Sequence, residues 1–119
     1  WTLLARRFRS GHRDLDLVAR LGALVAFVEV KTRLGTRFGD PVEAVDWRKQ
    51  RELVRSARAW IAQHGRGDDA YRFDVVGVLI EPIGRPMHPP GRPGRPSVGA
   101  RARVRVRHVV GAFEAPGTW

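Results

Sequence analysis

The chain contains no cysteine. Disulfides and thiolate-bound metals are therefore excluded, and packing alone must hold the fold. Lysine is almost as scarce: only Lys31 and Lys49 occur, against twenty arginines among the 22 basic residues. No apolar run nears the roughly 20 residues that a membrane-spanning helix requires. There is no leader with a basic start and an apolar centre, so the expectation is a cytoplasmic protein with no membrane association. Acids are few as well: twelve Asp and Glu leave a formal net charge of +10. Arginine grips phosphate through a bidentate fork and keeps its charge when partly buried. An excess of it fits a polyanionic partner. Arginine-rich chains also accompany GC-rich genomes; of the two readings, a nucleic-acid partner is the one favoured. With 119 residues, 43% hydrophobic and 29% charged, the whole of 1–119 suffices for one small domain with a single core.

What is present is concentrated between Arg13 and Lys31. Residues 14–20 and 24–32 read as two strands joined by a two-residue turn at Gly22-Ala23, glycine first. In that register Leu21 faces Leu24, Asp16 faces Glu29 and Asp14 faces Lys31. Side chains two apart on a strand share a face, so Asp16, Glu29 and Lys31 converge. Opposed carboxylates repel and weaken a sheet; a cation between them resolves the conflict. The competing reading is an exposed, salt-bridged hairpin face, with Asp14 against Lys31 and Glu29 against an arginine. The otherwise core-like Phe27-Val28-Glu29-Val30 weighs against it.

Along the rest of the chain, residues 1–9 read as a strand and 33–45 as a mobile loop beside the site. A helix over 46–64 follows, capped by Asp46 and stopped by Gly65. Its apolar face is Leu53, Val54, Ala57, Trp60 and Ile61, with Trp60 in the core and Trp47 partly exposed. Residues 71–80 form a buried strand, and 103–110 a final strand with one solvent face. Between them, 82–102 holds six of the eight prolines and reads as a flexible basic insertion. The four histidines, His12, His64, His88 and His108, have no partner at metal-ligand spacing and read as incidental.

The pattern Asp-x12-Glu-x-Lys on a hairpin resembles the metal core of the PD-(D/E)XK nuclease superfamily. The chain resembles more closely the YraN family of uncharacterised, nuclease-like bacterial proteins. The motifs are Leu4-Ala5-Arg6-Arg7-Phe8-Arg9, Asp14-Leu15-Asp16-Leu17-Val18-Ala19-Arg20 and Phe27-Val28-Glu29-Val30-Lys31-Thr32-Arg33. Further along stand Phe38-Gly39, Pro41, Glu43-Ala44-Val45, Arg48-Lys49-Gln50, Arg72-Phe73-Asp74-Val75-Val76 and Ala112-Phe113. The likeness covers nearly everything outside 82–102. It implies a restriction-endonuclease-like mixed sheet of about five strands with a flanking helix, similar to archaeal Holliday-junction resolvases. The N-terminal helix usual in the family is missing before Trp1.

The resemblance also implies chemistry. Asp16, Glu29 and the backbone carbonyl of Val30 would hold Mg²⁺ or Mn²⁺, with water completing a sparse shell of oxygens. Lys31 would act on the attacking water or the phosphate. Asp14 stands where the family usually has glutamate, and is either a second catalytic acid or a partner for Lys31. Lys49 and Gln50 sit where such nucleases often place residues near the scissile phosphate. Arg33 and Arg37 flank the loop and could clamp a DNA backbone, while Asp74 looks like a structural acid paired with an arginine. The implied function is metal-dependent hydrolysis of phosphodiesters in DNA, branched or otherwise structured, with no small-molecule cofactor and a homodimer by analogy. The alternative is a non-catalytic nucleic-acid-binding protein on the same scaffold.

Overall fold

The computed structural model describes residues 1–11, 13–35, 37, 39–40, 42–83 and 101–117. It is an α/β fold: five strands in one mixed sheet and one helix. In chain order these are β1 (Thr2–Ser10), β2 (Arg13–Leu21), β3 (Leu24–Leu34), α1 (Trp47–His64), β4 (Ala70–Ile83) and β5 (Arg101–Phe113). The spatial order is the same, β1-β2-β3-β4-β5. Neighbours are antiparallel except β3 and β4, which run parallel. Parallel neighbours cannot be joined by a tight turn, and α1 provides the crossover between them.

The hairpin turn sets the central register. Gly22 takes a φ of 60°, which suits a glycine-first two-residue turn whose twist matches its strands. Leu21 pairs with Leu24, and pairing continues to Leu17 and Val28. Paired residues share a face, so Val18, Phe27, Val25, Phe73 and Val75 gather on one side. There α1 lays down Leu53, Val54, Ala57 and Trp60, all buried with them in one cluster. Phe27 stands at its centre, edge-on to Trp60 and stacked with Tyr71.

The helix ends differ in mechanism. Asp46 Oδ1 accepts from the Lys49 amide at 2.9 Å, satisfying a free N–H of the first turn. Gly65 does not take the left-handed conformation expected of a terminating glycine; its backbone is extended, with φ −65° and ψ 149°. It is needed for space instead. A Cβ there would stand 2.6 Å from the Ile61 carbonyl and 2.7 Å from the Tyr71 hydroxyl.

Three sequence expectations change. The 33–45 span is not all loop: residues 33 and 34 belong to β3, and 42–45 form a turn in which Val45 donates to Val42 and is buried in the core. The ends of the 82–102 insertion are strand, Pro82 pairing with Ala102 and Ile83 with Arg101; residues 84–100 lie outside the described residues. The last strand is longer than 103–110 and lacks a covered face along most of its length, since Val104 and Val106 are 59% and 64% exposed.

Two acids with buried side chains tie elements together: Asp74 joins β4 to β5, and Asp69 holds the α1–β4 connection to β2. Asp74 accepts both Arg72 Nε and Nη2 at 2.8 Å, the Gly111 amide at 3.0 Å, and lies 2.8 Å from His108 Nε2. His108 is therefore not incidental: it partners a buried carboxylate across β4 and β5. Asp69 is held by Arg20 at 2.6 and 3.0 Å and by the Arg66 amide. The Arg20 hydrogen bonds pull the Asp69 carboxyl from 3.8 down to about 2. A depressed carboxyl stabilises the fold above its unfolded value and loses that contribution as pH falls through the folded one. Urea midpoints should therefore fall as pH drops from about 4 to about 2, and Asp69→Asn should flatten that part of the profile. An unchanged acid limb in the variant would show that the pair does not couple to folding.

Candidate metal and phosphodiester site

The site lies where the central hairpin stops pairing. Regular register would continue from Leu17–Val28 to Asp16–Glu29, but the ladder ends at Leu17 and Val28. Instead Asp16 Oδ2 accepts the Val30 amide at 2.7 Å. A side chain has replaced the backbone partner on β2. On the other side of Asp16 the backbone is irregular too. Arg7 of β1, between the Arg6–Leu17 and Phe8–Leu15 pairs, has a φ of 49°, costly for a residue with a Cβ. In an extended antiparallel strand a residue's N–H and C=O leave on the same side. The Val30 carbonyl therefore faces the gap that its N–H already spans.

Glu29 is the buried centre of this gap, only 5% exposed. Its Oε1 lies 3.3 Å from Lys31 Nζ on the same strand and 3.7 Å from Lys49 Nζ on the first turns of α1. Its Oε2 is buried with no hydrogen-bond partner among the described residues. Burial pushes the Glu29 carboxyl above the ordinary carboxylate range, and the charge of nearby Asp16 pushes the same way; Lys49 and Lys31 oppose. These two lysines are the only lysines in the chain.

The expected site residues separate into two groups. Asp16, Glu29, Val30, Lys31 and Lys49 come together. Asp14 does not join them: its expected pairing with Lys31 is absent, and it sits opposite Arg9 on β1, 3.4 Å from Arg9 Nε, because β2 has already left β3 there. Nor does Glu29 meet an arginine, as the salt-bridged reading required. Gln50 turns inward to donate from Nε2 to the Val45 carbonyl at 3.0 Å, bracing the turn before α1. Arg33 and Arg37 are exposed, with Arg33 near the end of β3.

An unpaired buried carboxylate oxygen is costly. A hard cation relieves that cost, and the donors available, two carboxylates and a carbonyl, are all hard oxygens. Among the described residues, no three His, Cys, Asp or Glu side chains gather for an ion. The described side chains alone therefore do not make a full cage for a metal ion here.

A mixed five-stranded sheet with one flanking helix, bearing this acid–acid–lysine cluster at its centre, has the restriction-endonuclease-like fold. The chain belongs to the uncharacterised protein family UPF0102, the YraN family, whose model matches residues 1–78. It is 43% identical over 111 residues to a UPF0102 protein of Frankia alni, covering 93% of this chain and 78% of that one. A UPF0102 protein of Symbiobacterium thermophilum is 48% identical over 87 residues, 71% of this chain and 72% of its own. One from Chloroherpeton thalassium is 41% identical over 81 residues, and the chain spans 63% of its length.

The buried acid makes a stability prediction for the chain in chelator. A carboxyl raised by folding leaves the native state holding more protons than the unfolded one. Stability is then full at low pH and declines as pH rises from about 4.5, the ordinary value, through the raised one. Glu29→Gln should remove this decline and unfold at the same or higher urea than the parent at pH 8. A clearly less stable variant at pH 8 would mean that the lysine contacts outweigh the burial.

Proposed function

We propose that this chain is a metal-dependent endonuclease that hydrolyses phosphodiesters in DNA. The observation that carries the reading is Glu29: a buried carboxylate with one oxygen unpartnered, close to Asp16 and flanked by the chain's only two lysines. Asp16 and Glu29 disfavour each other's charge, and a cation between them would relieve both that repulsion and the open Glu29 oxygen. Asp16, Glu29 and the Val30 carbonyl are the residues that would hold Mg²⁺ or Mn²⁺. When bound there, such an ion would polarise a phosphate and acidify a water.

Hydrolysis adds a water oxygen to phosphorus, expels one ester oxygen and moves a proton from the water to the departing alcohol. Lys31, 32% exposed at its side chain, is open to solvent at the rim of the gap and can orient that water. Its charge favours the extra negative charge of the pentavalent transition state. Lys49 brings a second cation to Glu29 from α1 and can hold a phosphate oxygen. Arg33 and Arg37, both exposed, can meet the flanking backbone, where contacts position the substrate without reading its sequence. Gln50 acts indirectly by bracing the turn that carries Val45 into the core.

Structured or branched DNA is the substrate class this reading favours. Cutting two strands of a junction calls for two copies of the site and hence a homodimer. DNA as substrate places the work in the cytoplasm. Among the described residues no helix is long and apolar enough to cross a membrane.

The test is cleavage of four-way junction, flap, single-stranded and duplex DNA with Mg²⁺ or Mn²⁺. Asp16→Ala and Glu29→Ala should each abolish cleavage and divalent binding by calorimetry. Lys31→Ala should lower turnover roughly a hundredfold or more while leaving DNA affinity unchanged. Cleavage by both acid variants at the parent rate would overturn the reading.

A further inference from the structure

The outer face of α1 carries a second constellation. Trp47 opens the helix and is 60% exposed. Arg48 and Arg51 place their guanidinium carbons 5.6 and 5.5 Å from its ring centroid. Together with Arg55 and Glu52 they line an open hollow of about 280 Å³. Trp47, Arg51 and Arg55 recur at every fourth residue and so form one stripe. All three are exposed, whereas Leu53, Val54, Ala57 and Trp60 are buried.

Nothing in the fold requires this arrangement. A large indole left in water contributes little to the core. Like charges four apart, such as Arg51 and Arg55, weaken a helix. Asp46 already places a carboxylate at the helix N-terminus, and in the hollow three arginines stand against the single acid Glu52. The patch keeps a net positive charge that an anion would offset, and the aromatic ring adds a demand for a flat partner.

We infer that Trp47, with Arg48, Arg51 and Arg55, is a docking platform for an unpaired nucleobase and its adjoining phosphates, which holds single-stranded segments of the DNA that the Glu29 site would cut. The inference rests on the nuclease reading of that site. Trp47 is two residues from Lys49, about 3 Å along the helix axis but roughly 200° around it, so the stripe lies on a different side of α1 from the Lys49–Glu29 contact. The mechanism is an exchange. In the free protein the guanidiniums rest on the indole. A base stacks on an exposed indole more strongly than an arginine does, so it displaces one of them. The released arginine then meets the phosphate that follows. In an intact duplex the bases face each other, and the ring has nothing to stack on.

The experiment is fluorescence anisotropy with the full chain in chelator, so that no cutting occurs. The probes are a labelled single strand, the same sequence as a closed duplex, and heparin as a polyanion without bases. Trp47→Ala should weaken single-strand binding roughly tenfold, with duplex and heparin affinities within about twofold of the parent. Trp47→Phe should restore most of the loss, because a phenyl ring still stacks. Equal loss for all three ligands, or no loss for the single strand, would overturn the platform. Tighter binding of the matching RNA strand than of DNA would overturn its assignment to DNA. Because these readouts need neither metal nor turnover, failure of cleavage would leave them standing, and failure of the platform would leave the cleavage test untouched.

Discussion

The fold depends on where the β2–β3 ladder stops. Up to Leu17 and Val28 the two strands behave as an ordinary hairpin. One residue further, Asp16 gives its carboxylate to the Val30 amide and takes over the work of a backbone carbonyl. That exchange keeps the buried amide satisfied while letting the strands part. Everything at the site follows from the parting. Glu29 stays in the interior, paired with Val75 of β4 but with no β2 residue opposite it, Val30 keeps a carbonyl on the gap, and Arg7 of β1 takes a positive φ across from Asp16. A hairpin that paired one residue longer would close this opening.

The other side of the gap is set by packing. The parallel β3–β4 pair needs a crossover, and α1 provides it with its apolar stripe on Phe27 and Phe73. The helix begins where Asp46 caps it, and Gln50 ties its first turns to Val45, itself buried. Lys49 is thereby delivered to Glu29 from an element that shares no hydrogen bond with the hairpin turn. Two independent constraints, a strand register and a helix start, converge on one carboxylate.

This division explains what the sequence made legible. Strand alternation, the Gly22 turn and the helical stripe from Leu53 to Ile61 are local patterns, and the sheet, the helix and its cap followed from them. The convergence of Asp16, Glu29 and Lys31 was readable because it needs only the hairpin register. Asp14 against Lys31 was misread because it needs the register to persist past Asp16, and a side-chain hydrogen bond ends it. The Asp74–His108 contact joins residues 34 apart through strand pairing, so no spacing rule reaches it. Gly65 has the residue type of a left-handed cap, but the crowding by Tyr71 that requires it is visible only in three dimensions. Val104 and Val106 alternate with arginine as a half-buried strand should, yet among the described residues no element covers them. Alternation reports a period and does not report a neighbour.

The distribution of cations adds a separate argument about the site. Arginine fills twenty of the 22 basic positions, and the two exceptions both stand at Glu29. A guanidinium is planar and forks onto two acceptors, as Arg72 does on Asp74 and Arg20 on Asp69. Those pairs are closed: each carboxylate is consumed by its arginine. An ammonium is a compact point charge on a flexible stem. It can approach one carboxylate oxygen and leave the other open, which is the arrangement at Glu29. The same chain thus uses arginine where an acid is to be locked and lysine where an acid is to remain open to a further partner. An arginine at position 31 or 49 could close Glu29 as Arg72 closes Asp74, and the donor that makes this gap chemically distinctive would be lost.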